Sequence, residues 1–292
     1  MTMTKGGNVA ILEGAAQLLA RYDVIFCDVW GVLHNGLRAY AAAGDALARF
    51  RAAGGTVVLV SNSPARSSSL ATLLDRVGVR RDAWDAAVTS GDLTRTHLTE
   101  RGYRRIFHIG SPGDTRVFAG LDIELVELKR AAAVVCTAPF DYAADADACH
   151  RSLLTEALAR SLPFVCGNPD LVVDVDGELY ICAGTVAQLY ETMGGKVYWA
   201  GKPHRPAYEA AHKLAQNVRG RDVSPERILA IGDAVRTDLA GAAQYGVDCL
   251  LVADGIHRDQ LLLDGRVDAA QLGKLLDGVP HRPVGVIPAL VW

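Results

Sequence analysis

The way the apolar runs of this chain end constrains its fold more than any other feature. Val24-Ile25-Phe26-Cys27 runs into Asp28, followed by Val29-Trp30-Gly31. Val57-Val58-Leu59-Val60 runs into Ser61-Asn62-Ser63-Pro64. Ile228-Leu229-Ala230-Ile231 runs into Gly232-Asp233, with Asp238 five residues further on. Short β-branched runs of this kind read as strands buried on both faces, which is how parallel sheets are built. A carboxylate, hydroxyl or amide at the carboxyl end of such a strand sits where open α/β sheets hold their chemistry.

Helical segments alternate with these strands. Tyr40 to Ala53 reads as a helix stopped by Gly54-Gly55, and Arg66 to Val77 as one ending at Gly78. A strand over Ala86 to Thr89 and a helix over Asp92 to Arg101 continue the alternation. Asn8 to Arg21 reads as an amphipathic helix with Asn8 as its cap. The expected class is α/β, a doubly wound parallel sheet. Beyond Arg104 the character changes. Strands are expected over Arg105 to Gly110, Ala133 to Ala138 and Pro163 to Cys166, with a helix over Asp145 to Ser161. A hairpin over Val172 to Cys182 turns at Asp176-Gly177, and a helix over Thr185 to Met193 follows. Val197 to Ala200 is expected to return the chain to the first sheet. Helix 206–218, strand 228–231, helix 238–245 and a last parallel strand over Cys249 to Ala253 complete that sheet, with one tail helix over Ala269 to Leu276.

A chain of 292 residues is long for one domain and fits two compact units. Half of it is hydrophobic and 22% is charged, so a sizeable core is expected and disorder is not. The net charge of −3, with no basic block, argues against nucleic acid as a principal partner. None of the six cysteines forms a Cys-x-x-Cys pair, which points to reduced thiols rather than zinc. The polar start of the chain and the lack of a long uncharged apolar stretch predict no membrane span and a cytoplasmic location.

Each polar strand end has an ordinary explanation when taken alone. Asp28 is a turn residue, Ser61-Asn62-Ser63-Pro64 a helix cap, Gly201-Lys202-Pro203 a turn with a solvated lysine, and Asp238 a first-turn carboxylate. Their joint order is what resembles the haloacid dehalogenase (HAD) superfamily of aspartate-nucleophile hydrolases. The class IIA branch, with its nucleotide monophosphatases and pyridoxal phosphate phosphatases, is the nearest pattern. The resemblance runs from about Tyr22 to about Asp259. It implies a HAD-like core over 1–103 and 198–292, with an inserted α/β cap domain over 104–197.

The resemblance also implies chemistry. Asp28 would attack phosphorus and form an aspartyl phosphate. Ser61 and the Asn62 N–H would hold phosphoryl oxygens, and Lys202 would neutralise charge. Mg2+ would be held by the carboxylates of Asp28, Asp233 and Asp238 and by the main-chain carbonyl of Trp30. Asn168 and Asp170, in Gly167-Asn168-Pro169-Asp170, would help choose the substrate, although both are also good turn formers. The implied partner is a small phosphorylated metabolite, and a homodimer is compatible with the sequence. One departure stands out: the family carries a second aspartate where this chain has Trp30. Tryptophan can neither protonate a leaving group nor deprotonate water, so its indole reads as an apolar wall. Substrates with good leaving groups, a substitute acid such as His34 or His204, or a weakly active phosphoester-binding protein are the open alternatives. Phosphoryl transfer or dehalogenation on the same core is a further one.

Overall fold

The computed structural model describes residues 9–142, 145–175 and 177–292. The proposed cap Asn8 and the hairpin residue Asp176 lie outside the described residues. The chain divides into two compact units. The first holds residues up to Leu59, Val77–Ala86 and His212–Trp292; the second holds Val60–Arg76 and Ala87–Ala211.

In chain order the strands are β1 (Val24–Cys27), β2 (Thr56–Ser61), β3 (Ala86–Thr89), β4 (Arg105–Ile109), β5 (Glu124–Leu125), β6 (Ala133–Cys136), β7 (Phe164–Cys166), β8 (Val172–Val175) and β9 (Glu178–Ile181). They continue with β10 (Val197–Trp199), β11 (Ile228–Gly232), β12 (Asp248–Val252), β13 (Leu262–Leu263), β14 (Arg266–Val267) and β15 (Gly285–Ile287). A six-stranded sheet runs β15-β12-β11-β1-β2-β3, with β1 central. Its pairings β1–β2, β1–β11, β11–β12 and β12–β15 are all parallel. Every residue of β1, β2 and β11 is buried, which accounts for their continuous apolar composition. The expected doubly wound α/β class is therefore what the chain adopts.

The second sheet has five strands in the order β10-β7-β6-β4-β5. Its pairings are parallel throughout. Phe164, Tyr190, Leu154 and Ile109 lie in the core against it. The strand expected to rejoin the first sheet, β10, pairs instead with β7, Trp199 opposite Cys166. A three-residue run carries no record of its neighbour, so its sheet was not readable from sequence. Hairpin β8–β9 is antiparallel, as expected.

Two further expectations are corrected. The first helix spans only Ala16–Leu19. Ahead of it Ile11 bridges Val286 in parallel, and Leu12 N–H donates to the Val286 carbonyl at 2.8 Å. Gly14 lies too close to Trp292 for a side chain, since a Cβ there would sit 2.7 Å from its carbonyl oxygen. Second, β12 is not the last parallel strand; β15 adds to its outer side. Among the described residues no helix is long and apolar enough to cross a membrane.

Tyr22, just ahead of β1, ties that strand to the start of β12: its hydroxyl donates to Asp248 Oδ2 at 2.6 Å. Burial, then the hydrogen bond and charge of Asp248, hold this phenol well above its ordinary value of about 10. A folded state that keeps a proton longer than the unfolded chain loses stability as pH rises past the unfolded value. Tyr22→Phe should cost about 1 kcal/mol near neutrality. That gap should shrink above about pH 10, because only the native protein carries the titrating phenol. Denaturation of both proteins at several pH values checks this; a gap constant up to about pH 11 would contradict it.

Candidate active site

Asp28 follows β1, and its main-chain N–H donates to the Ile231 carbonyl at 2.8 Å, so it leaves the sheet beside β11. Asp233 follows β11 directly. Asp238 lies in the π-helical turn Val235–Leu239. One carboxylate oxygen from each of the three lies within 4.8 Å of the others. Asp233 and Asp238 are 6% and 3% exposed, so the group is largely withdrawn from water.

Backbone donors orient two of these carboxylates. Ile256 N–H reaches Asp233 Oδ2 at 2.7 Å, and Ala234 N–H reaches Asp238 Oδ2 at 3.2 Å. The close approach depends on glycines. A Cβ at Gly31, whose φ is +80°, would lie 2.2 Å from Asp233 Oδ2, and one at Gly255 would lie 2.1 Å from it. A Cβ at Gly232 would lie 2.0 Å from Asp238 Cγ. Gly255 and Ile256 were missed in the sequence, although Asp254-Gly255 after an apolar strand is a turn signal.

Three negative groups this close repel one another, and a cation relieves that repulsion. The donor set is all oxygen, part of it fixed by backbone N–H groups. It fits a hard divalent ion such as Mg2+ and does not fit soft metals.

The Trp30 indole, half-buried, packs over Gly36, where a Cβ would lie 2.4 Å from the ring. His34 meets it edge-on at 5.2 Å. His34 Nδ1 accepts Gly36 N–H at 2.8 Å, while Nε2 is buried without a hydrogen-bond partner among the described residues. Burial lowers the His34 pKa to about 4, so near neutrality the ring is uncharged with its proton on Nε2. A neutral imidazole is a poor proton donor, which counts against His34 as the substitute acid. His204 stacks on Trp199 at 5.5 Å.

A second group of expected residues comes together within the second unit. Ser61 ends β2, is 8% exposed, and accepts Ser63 N–H at 3.2 Å through Oγ. Both amide hydrogens of Asn62 are engaged, one by Asp170 Oδ1 at 2.9 Å and one by the Lys202 carbonyl at 3.1 Å. Asn62 Oδ1 accepts Lys202 N–H at 2.8 Å. The Asn62 side chain is thus a brace between Lys202 and Asp170. Gly201 permits it, since a Cβ there would lie 2.5 Å from Asn62 Oδ1 and 2.3 Å from Ser90 Oγ. Lys202 is 3% exposed and is followed by a cis bond to Pro203. Asn168 Oδ1 accepts Asp170 N–H at 3.1 Å, the turn-forming bond that its sequence context allows. Thr89 caps the helix that follows β3 by accepting Asp92 N–H, and Ser90 completes the packing around Asn62.

Residues 25–124 match the family described as haloacid dehalogenase-like hydrolase, and residues 199–279 match the HAD-hydrolase-like family. A solved structure of a hydrolase of the haloacid dehalogenase-like family from Brucella suis 1330 is 44% identical, over 96% of this chain and all of that one, with a TM-score of 0.84. This chain belongs to the haloacid dehalogenase-like hydrolases. Within the family it is 23% identical to the ribonucleotide monophosphatase NagD of Escherichia coli K12, over 91% of this chain and 96% of NagD. That likeness bears out the class IIA branch. A glycerol phosphate phosphatase (Rv1692) from Mycobacterium tuberculosis, solved in complex with calcium, is 22% identical with a TM-score of 0.61, over 82% of this chain and 68% of that one.

The glycine approaches to Asp233 give a direct check. Gly31→Ala and Gly255→Ala should each destabilise the fold by about 1–3 kcal/mol. Gly31→Ala should cost the more, because its left-handed backbone disfavours alanine by about a further 1 kcal/mol. Chemical denaturation measures both, and unchanged midpoints would show that the carboxylate has room to spare.

Proposed function

We propose that this hydrolase cleaves small phosphate monoesters in the cytoplasm through an aspartyl phosphate on Asp28, with Mg2+ as its cofactor. The gathering of Asp28, Asp233 and Asp238 at the carboxyl edge of the first sheet is the observation that carries this reading. The names of its relatives, a ribonucleotide monophosphatase and a glycerol phosphate phosphatase, support it. The three carboxylates and the Trp30 carbonyl would hold Mg2+, which would neutralise charge on the phosphoryl group.

In this mechanism Asp28 Oδ attacks phosphorus in line with the departing oxygen. The Ser61 hydroxyl and the Asn62 N–H donate to phosphoryl oxygens, and the Lys202 ammonium offsets their charge. The Asn62 brace fixes the backbone that carries Lys202 and orients Asp170. Asn168 and Asp170 belong to the segment 104–197, which we read as the cap inserted into the catalytic core, and they select the leaving group. Water then hydrolyses the aspartyl phosphate.

Trp30 supplies no proton to the leaving oxygen, which removes a contribution of typically about 10²–10⁴-fold. This favours a second reading, a weakly active or non-catalytic phosphoester-binding protein, and a leaving-group series decides between the two. Hydrolysis of nitrophenyl and acyl phosphates should far outpace that of alkyl phosphates. Trp30→Asp should flatten the dependence if it folds, since loss of a packed indole can cost about 3–5 kcal/mol. Asp28→Asn should abolish turnover while preserving the fold. Full turnover by Asp28→Asn would remove the nucleophile assignment, and a native protein inert on every ester would favour the binding protein.

Magnesium provides a separate check. Millimolar Mg2+ should raise the melting temperature, and Asp233→Asn should reduce that rise. An unshifted native melting curve would argue against the metal site.

A further inference from the structure

The five-stranded sheet has a topological switch point of its own. Its strands follow one another as β4, β5, β6, β7 and β10, yet lie side by side as β10-β7-β6-β4-β5. The chain therefore steps from β4 outward to β5, crosses back past β4 to β6, and continues in the opposite direction. Successive connections that leave two neighbouring strands in opposite directions open a crevice at their carboxyl ends, where sheets of this order hold ligands. Here that place lies between β4 and β6.

The residues there form a bonded set. Thr137, just past β6, is buried, with Oγ1 2.8 Å from His108 Nε2 on β4 and 3.2 Å from Asp114 Oδ2. Asp114 Oδ2 also accepts Ser111 N–H at 3.1 Å. Gly110 allows the close approach, since a Cβ there would lie 2.1 Å from Thr137 Oγ1 and 2.6 Å from His108 Nε2. Capping of the following turn explains the Ser111–Asp114 bond, but not the link to His108.

Proton counting shows what the set leaves over. The single Thr137 hydrogen goes to the Asp114 carboxylate at 3.2 Å or to the Ile109 carbonyl at 3.5 Å, so Thr137 Oγ1 accepts from His108 Nε2–H. Burial holds the His108 pKa below its ordinary value, and the neutral ring leaves Nδ1 as an acceptor. Among the described residues Asp114 makes its hydrogen bonds through Oδ2, leaving Oδ1. Burial raises the Tyr142 phenol, with the Asp114 charge as the next cause. Two acceptors, Asp114 Oδ1 and His108 Nδ1, thus remain among the described residues. The carboxylate repels anions. Neighbouring hydroxyl groups supply the donors these acceptors need.

We propose that this crevice binds the hydroxyls of a sugar or polyol leaving group, and so determines specificity; this rests on the phosphatase reading above. Asp114 and His108 touch the ligand, and Thr137 is a positioning residue that holds both. Lys202 lies just beyond β10 on the same sheet.

The test compares the full-length protein with Asp114→Asn, Thr137→Val and His108→Gln on ribose 5-phosphate and nitrophenyl phosphate. Folding is verified by melting curves, and the partly buried Asp114 serves if the fully buried Thr137 does not tolerate change. The variants should lose about 10- to 100-fold in kcat/KM on ribose 5-phosphate, chiefly through KM. Their turnover of nitrophenyl phosphate, which has no sugar hydroxyls, should stay within about twofold of native. Equal losses on both substrates, or none, would overturn the proposal. If the native protein hydrolyses neither ester, the phosphatase reading fails, and saturation-transfer NMR with free ribose decides the crevice separately. A ribose signal that vanishes in Asp114→Asn sustains the hydroxyl site; no signal, or one that persists in the variant, overturns it.

Discussion

Three carboxylates held within 4.8 Å of one another set the terms for everything around them. Such a group is costly to assemble away from water, and backbone donors offset part of that cost. The Ile256 and Ala234 N–H groups fix one oxygen each on Asp233 and Asp238. They reach those oxygens only because Gly31, Gly232 and Gly255 present no Cβ. The glycine of the first motif therefore serves the carboxylate of a distant strand, not only its own turn. The central position of β1, between β2 and β11, places Asp28 among the others.

The second unit solves a different problem with a different device. Lys202 is almost wholly buried, and its main chain needs a fixed partner. Asn62 supplies it, donating to the Lys202 carbonyl and accepting from its N–H while reaching Asp170. An amide suits this role because it donates and accepts at once; an aspartate would lose both donors.

Much of this was legible in the sequence because it follows from local rules. β-branched runs such as Thr56–Ser61 and Ile228–Gly232 announce fully buried strands, and the polar residue after each marks the edge where chemistry gathers. What escaped notice depends on distant partners. Asn8 to Arg21 reads as a helix by periodicity, but Ile11 and Leu12 bond to Val286 instead. β15, between Pro283 and Pro288, is short enough to pass for tail, and β10 carries no mark of the sheet it joins. The Asn62 side chain is a further case: beside the main-chain N–H expected to hold phosphate, its amide is engaged as a brace to residues more than a hundred positions away. No local rule shows that Gly255 makes room for Asp233, because the clash it avoids exists only once the chain is folded.

The shortness of the outermost strands bears on how copies of this protein could meet. The five-stranded sheet ends in β5, with two residues, and β10, with three. The six-stranded sheet ends in β15, with three residues, and β3, with four. Edges this brief offer too few unpaired backbone groups to template another strand, a protection that natural sheets use against aggregation. β15 is shielded further where Ile11 lies along it. Any self-assembly of this chain must accordingly be written in side chains, by the fit of one surface to another, and not by extending a sheet from molecule to molecule.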